Sequence, residues 1–71
     1  MTTITEKYIK FVDLDRKRLM VYAIEKFPKL KIGQEISLSN YGTPEVSYEI
    51  VDFGHEFAIT MYTLVIIVKR P

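Results

Sequence analysis

The sequence contains no cysteine and no tryptophan, few glycines and prolines, and a single histidine, His55. Without cysteine the chain can form neither a disulfide nor a cysteine-based zinc site. A chain of 71 residues buries only about 60% of its unfolded surface, so its stability margin is small. Stability therefore has to come from core packing or from association between copies.

The sequence predicts neither a membrane span nor a signal peptide. The longest apolar stretch, residues 57–68, is shorter than the roughly 20 residues that a spanning helix needs. The N-terminal residues 1–6 lack the basic start and apolar centre of a signal peptide, and we expect them to be a loosely ordered start. These features predict a single cytoplasmic domain over residues 1–71, with no membrane partner.

Charge is divided along the chain, although the net charge is only +1. Residues 1–31 carry eight basic side chains against four acidic ones, whereas residues 32–68 carry five acidic side chains and no basic one. Lys69 and Arg70 then restore positive charge at the end. Such asymmetry is typical of a binding face, and the alternative is two merely solvated surfaces.

Residues 57–68 form the densest apolar stretch, and their β-branched and aromatic side chains favour a strand over a helix. Both faces of this strand are apolar, so both need cover. We expect one face to complete the core and the other to contact a second copy, because soluble monomers avoid large apolar patches. The face predicted to form the oligomer interface consists of Tyr62, Leu64, Ile66 and Val68, with the opposite set of residues left open.

Four shorter strands precede this stretch, with turns between them. Residues 15–27 also fit a helix, but a strand from Arg18 to Glu25 is favoured because the strand before it needs a partner across a short turn. Apolar residues on both faces near Ile50 and Val51 indicate a bulge, and Gly54-His55-Glu56 is expected to connect to the final strand. The other predicted strands cover Tyr8–Val12, Glu35–Ser39 and Glu45–Phe53, separated by loops at Asp13–Lys17, Phe27–Gln34 and Asn40–Pro44.

These elements predict an all-β single domain, a small five-stranded and mostly antiparallel barrel or curled sheet of SH3-like or OB-like size. In addition, the pattern from Leu30 to Ile36, apolar–x–Ile–Gly–Gln–x–Ile, resembles the lead-in to a strand in SH3-like and translation-factor-type small barrels. The resemblance implies a fold and not a function.

No group of residues in the sequence indicates catalysis. His55 lies between Asp52 and Glu56, but one imidazole and two carboxylates are a weak metal set, and a hydrogen-bonded histidine is the simpler interpretation. Asp13 and Asp15 are better explained as turn formers than as a proton-transfer pair. We therefore predict that the protein is not an enzyme and uses no metal or other cofactor.

A cluster of basic residues, Arg16-Lys17-Arg18, occupies the predicted first turn. Basic residues among aromatic ones are typical of single-strand binding, in which phosphates are neutralised and bases stack. The nucleic-acid site predicted on this basis consists of Arg16, Lys17, Arg18, Lys10, Tyr8 and Tyr22. A near-neutral chain is unusual for a dedicated nucleic-acid domain, so a solvated hairpin turn is the alternative.

Two functional hypotheses follow from the sequence. The favoured one is a small non-enzymatic interaction or accessory protein that works as a homo-oligomer and binds a protein partner or a small ligand. Short chains of this kind are frequent among the accessory proteins of phages and other mobile elements, which gives an expectation of such an origin. The alternative is a small β-barrel that binds single-stranded nucleic acid through Arg16, Lys17 and Arg18.

Overall fold

The computed structural model of the protein describes residues 4–39 and 44–71, which contain five strands and no helix. The strands are β1 (Glu6–Val12), β2 (Arg18–Ala23), β3 (Glu35–Leu38), β4 (Val46–Ala58) and β5 (Met61–Lys69). They form one sheet in the order β2-β1-β5-β4-β3. The β1–β5 pair is parallel and the other three pairs are antiparallel. The sheet is nearly closed into a barrel, which confirms the predicted all-β fold class.

The central strand of the sheet is β5, as its apolar composition requires. Its residues Val65 to Val68 are each no more than 9% exposed. On the concave side, Ile66 and Val68 pack with buried residues of β1 and β4 and with partly buried residues of β2, β3, β4 and β5. On the convex side, Val65 and Ile67 form a second, smaller cluster with Val12 and Val51. Both faces of β5 are thus covered within one chain.

This arrangement changes the prediction for the outer face of the last strand. The set that contains Leu64, Ile66 and Val68 lies on the concave side, where Ile66 and Val68 are fully buried in the core. These two side chains are therefore not available to a second copy. The physical reason is the parallel pairing with β1, which supplies Ile9 and Phe11 to the same core and which the apolar pattern of β5 alone does not specify.

The position of the last hairpin also differs from the prediction. Residues 54–56 do not form a connection, since β4 continues through them, and its pairing with β5 is unbroken from Asp52 to Ala58. Gly54 lies in the strand opposite Val65, where a Cβ atom would make an ordinary contact at 3.6 Å. The hydrogen bonds between β4 and β5 outweigh the destabilising effect of a glycine within a strand. The turn lies instead at Ile59 and Thr60.

Several local predictions are confirmed. The segment after Lys17 is a strand and not a helix, and it pairs with β1. The register of β4 shifts between Ile50 and Asp52, where the bulge was expected. Gly33 has a φ of 89° in the loop before β3, and its amide donates to the carbonyl of Ile50 at 2.7 Å.

Two predictions fall wholly or partly outside the described residues. The turn at Asn40–Pro44 lies there except for Pro44, and the loosely ordered start lies there for residues 1–3. Of the residues that follow, the amides of Thr5 and Glu6 donate to the carbonyl of Thr60, at 2.9 and 3.3 Å. Across residues 4–39 and 44–71, no helix has the length and apolar character needed to cross a membrane.

Candidate functional site: the β4–β5 hairpin tip

The β4–β5 hairpin closes through a two-residue loop, Ile59-Thr60, between the paired residues Ala58 and Met61. Ile59 has a φ of 47°, in the left-handed region. Two-residue hairpin loops commonly place glycine, asparagine or aspartate in that region, because a β-branched side chain crowds the backbone there. Isoleucine is therefore an unfavourable residue for this turn.

The turn, its flanking strand residue and the segment before β1 expose three apolar side chains. Ile59 is 93% exposed, Phe57 is 72% exposed and Ile4 is 41% exposed. The chain just before β1 lies against the turn, because the amide of Thr5 donates to the carbonyl of Thr60. We refer to Ile4, Phe57 and Ile59 together as the tip patch. Residues 57–61 carry no charged side chain, and Thr60 is the only polar residue among them.

A cluster of aromatic side chains packs against Phe57 of the tip patch. Its centre is Tyr62, whose ring lies 5.0 Å from that of Phe57, 5.3 Å from that of Phe27 and 5.7 Å from that of His55. The hydroxyl group of Tyr62 and Nδ1 of His55 form a hydrogen bond. Ring pairs at these separations attract each other and restrict side-chain motion. Phe57 is thus held in place on one side while most of its surface faces solvent.

A hollow of about 380 Å³ lies directly beside the tip patch. Its walls come from the two strands of the same hairpin, namely from Glu56, Phe57, Ala58, Met61 and Thr63. Apart from Glu56, the walls are uncharged. A protruding apolar side chain and a partly apolar hollow therefore lie next to each other on one hairpin.

The surroundings of His55 argue against a metal site at that residue. Successive residues of β4 point to opposite faces, so the side chains of His55 and Glu56 diverge. Glu56 pairs with Lys10, and Asp52 accepts a hydrogen bond from the amide of Phe53 at 2.8 Å. In the part of the chain that the structure describes, no three histidine, cysteine, aspartate or glutamate side chains are grouped to hold a metal ion.

The residues of the predicted nucleic-acid site do not share one surface. Both carboxylate oxygens of Glu56 accept hydrogen bonds from Nζ of Lys10, at 2.7 and 2.9 Å, so this cation is engaged. Tyr8 lies opposite Ala23, whereas Tyr22 lies opposite Ile9 and stacks on Phe11. Because Ile9 is a core residue, the two tyrosines lie on opposite faces of the sheet.

The basic cluster itself lies at the opposite end of the barrel from the tip patch. Arg16 and Lys17 lie in the β1–β2 turn, and Arg18 begins β2. Parallel pairing of β1 with β5 brings the end of β5, with Lys69 and Arg70, to this same end. The fold therefore joins two basic segments that are far apart in the sequence.

Sequence reasoning missed the tip patch because it assigned Ile59 and Thr60 to the middle of a strand. The turn lacks every usual turn residue, since residues 57–61 include no glycine, proline, asparagine or aspartate. Of the predicted interface residues, Tyr62 supports the tip patch and Leu64 packs against the core.

Comparisons with known proteins give no further guide to this site. No protein family model, no curated protein and no solved structure matches the chain.

Proposed function

We propose that this protein is a non-enzymatic interaction protein that works as a homo-oligomer, in which copies contact each other through the tip patch. The observation that carries the proposal is Ile59, which is 93% exposed and has a φ of 47°. The function needs neither a catalytic residue nor a cofactor, and it fits an accessory protein of the cytoplasm.

The energetic argument starts from what Ile59 contributes to its own fold. A left-handed conformation costs a residue other than glycine roughly 1–2 kcal/mol. An exposed side chain contributes almost nothing to the core in return. Glycine at this position would form the same turn without the steric cost. Strained residues concentrate where function requires them, which supports a contact of Ile59 outside its own chain.

A second copy is the partner that this hairpin fits best. Residues 57–61 carry no charge, and Glu56 at the hollow is paired with Lys10, so little charge repulsion opposes the approach of two tips. Each tip also presents both the protruding Ile59 and the hollow beside it, with Phe57, Ala58 and Met61 in its walls. A two-fold axis brings the same patch of both copies together, so the Ile59 side chain of each copy can enter the hollow of the other.

The test is the solution mass of the wild type and two variants over a wide range of concentration. Wild-type protein is expected to shift from 8.3 kDa toward the dimer mass as its concentration rises from about 1 µM to about 1 mM, the range for a small interface. Ile59→Asn should remain monomeric throughout, because asparagine tolerates the left-handed region but is polar. Light scattering after a sizing column measures both.

Ile32→Asn is the matched control. Ile32 is also exposed, at 64%, but it lies in the loop before β3 and not at the hairpin. This variant should dimerise like the wild type. A wild-type mass of 8.3 kDa at every concentration would refute the proposal, and so would equal loss of dimer in both variants.

A further inference from the structure

We infer that the end of the barrel opposite the tip patch binds a nucleotide, with its phosphate on Lys17, Lys69 and Arg70 and its base against Tyr48. The inference rests on a cavity of about 370 Å³ between the β1–β2 turn and the end of β5. Small-molecule sites in proteins have volumes of roughly 300–1,000 Å³, so one nucleotide unit matches this cavity.

Three cations from two separate segments line the cavity. Lys17 comes from the β1–β2 turn, and Lys69 and Arg70 come from the end of β5. Lys69 lies 3.9 Å from a carboxylate oxygen of Glu49, near the limit of an ion pair. Among residues 4–39 and 44–71, Lys17 and Arg70 have no ion-pair partner. Their charges are thus available to a ligand.

Two carboxylates also border the cavity, and one of them is already engaged. Oδ1 of Asp13 accepts hydrogen bonds from the amides of Asp15 and Lys17, each at 2.9 Å. This bonding holds the turn and directs the Asp13 carboxylate toward its own backbone. Asp15 is the second carboxylate, so the lining side chains carry three positive charges and two negative ones. Three cations that include an arginine favour a phosphate group, whose oxygens match the planar guanidinium in a bidentate pair.

The remaining wall is apolar and aromatic. Leu19, Tyr48 and Val68 line it, and Val68 is fully buried while Tyr48 packs against the core. A half-buried ring that lines a cavity provides a rigid surface on which a planar base can stack. A phosphate subsite beside an aromatic wall is complementary to a nucleotide, either free or as one unit of a single strand.

The experiment is a titration of the full-length protein followed by amide NMR shifts. The probes are adenosine monophosphate, adenosine, inorganic phosphate and a single-stranded thymidine oligonucleotide, each from about 10 µM to about 5 mM. Adenosine monophosphate, the oligonucleotide or both should shift amides around Lys17 and Arg70. Adenosine and inorganic phosphate alone should each bind at least about ten-fold more weakly, because each makes only half of the contacts. Tighter binding of the mononucleotide would identify a free nucleotide as the ligand, and tighter binding of the oligonucleotide would identify a strand.

The variants Lys17→Gln and Arg70→Gln should each weaken binding about ten-fold, the effect of losing one charge-assisted hydrogen bond. Lys31→Gln, a change of one lysine that does not line the cavity, should bind like the wild type. Ile59→Asn should also bind normally, which separates this site from the tip patch. Unchanged amide shifts elsewhere would confirm that each variant is folded.

Three results would overturn the inference. The first is that neither nucleotide probe shifts the amides around the cavity. The second is that inorganic phosphate binds as tightly as the nucleotides, which would remove any role for Tyr48. The third is that Lys17→Gln and Arg70→Gln bind as tightly as Lys31→Gln.

Discussion

Two turns of this small barrel contain a residue other than glycine in the left-handed region, and the fold supports them differently. Arg16, with a φ of 65°, lies in the β1–β2 turn, and Ile59, with a φ of 47°, lies in the β4–β5 turn. In the first turn, Asp13 accepts the amides of Asp15 and Lys17, and its own backbone bonds to Arg16 and Lys17. At the second turn, the carbonyl of Thr60 accepts hydrogen bonds from the chain before β1.

Backbone strain is part of a stable turn at Arg16 but not at Ile59. Arg16 is unbranched and lies in a turn that is closed by local hydrogen bonds, so its conformation is part of a stable turn. Ile59 is β-branched, highly exposed and located in a loop without a turn-forming side chain. The left-handed conformation of Ile59 therefore costs more stability than that of Arg16. We propose that isoleucine is present at this position because it contacts a second copy.

The largest effect on stability is expected in the hydrophobic core, which lies between the two turns. Ile66→Ala should lower the free energy of unfolding by about 2–5 kcal/mol, because Ile66 is fully buried on the central strand. Leu14→Ala, at a position that is 63% exposed, should change it by less than about 0.5 kcal/mol. Urea unfolding measures both, and similar losses would contradict the assignment of Ile66 to the core.

The second largest effect on stability is expected in the β1–β2 turn. Asp13→Ala should lower the free energy of unfolding by about 1–3 kcal/mol, since two backbone amides lose a charged acceptor. Asp15→Ala is the matched control, because its carboxylate receives neither of these hydrogen bonds, and it should have little effect. Thermal unfolding compares the two, and equal losses would show that the Asp13 hydrogen bonds do not hold the turn.

Glycine at each left-handed position compares the two turns directly. Ile59→Gly should raise the free energy of unfolding of the monomer by about 1 kcal/mol, the relieved strain less the entropy that glycine loses. Ile59→Ala keeps the left-handed cost and should give a smaller gain. Arg16→Gly should also give a smaller gain, because arginine is not β-branched. Urea unfolding at low concentration measures all three, and a larger gain at Arg16 would reverse the comparison.

The smallest effect belongs to the ion pair between Lys10 and Glu56. Glu56→Gln should lower the free energy of unfolding by less than about 1 kcal/mol, because the Glu56 side chain is 56% exposed and water screens the pair. High salt should reduce the difference between the variant and the wild type. A decrease of several kcal/mol in the free energy of unfolding would show that the ion pair covers the cluster on the convex side of the sheet and is shielded from water.

The sequence was sufficient to predict five strands, but neither the position of the last hairpin nor the order in which the strands pair. The apolar residues on both faces near Ile50 correctly indicated a bulge. The pairing of β1 with β5 joins residues that are distant in the sequence, and no local pattern specifies it. The inner face of β5 and the basic cavity with Lys17 and Arg70 both depend on that pairing.

The hairpin tip could not be predicted for a different reason. Turn prediction relies on residues that relieve backbone strain, and Ile59 does the opposite. Gly54 provided a turn signal five residues too early, although it lies within β4. Residue propensities cannot locate a turn that is formed by residues disfavoured in turns. Such disfavoured residues are expected at functional positions.

The most direct test of self-association through the tip patch is an isotope-filtered NMR experiment on a mixture of labelled and unlabelled protein. We predict magnetisation transfer between the methyl groups of Ile59 in one copy and the ring protons of Phe57 in its partner. At concentrations where light scattering shows a dimer, a mixture that gives no such transfer would contradict the proposed interface.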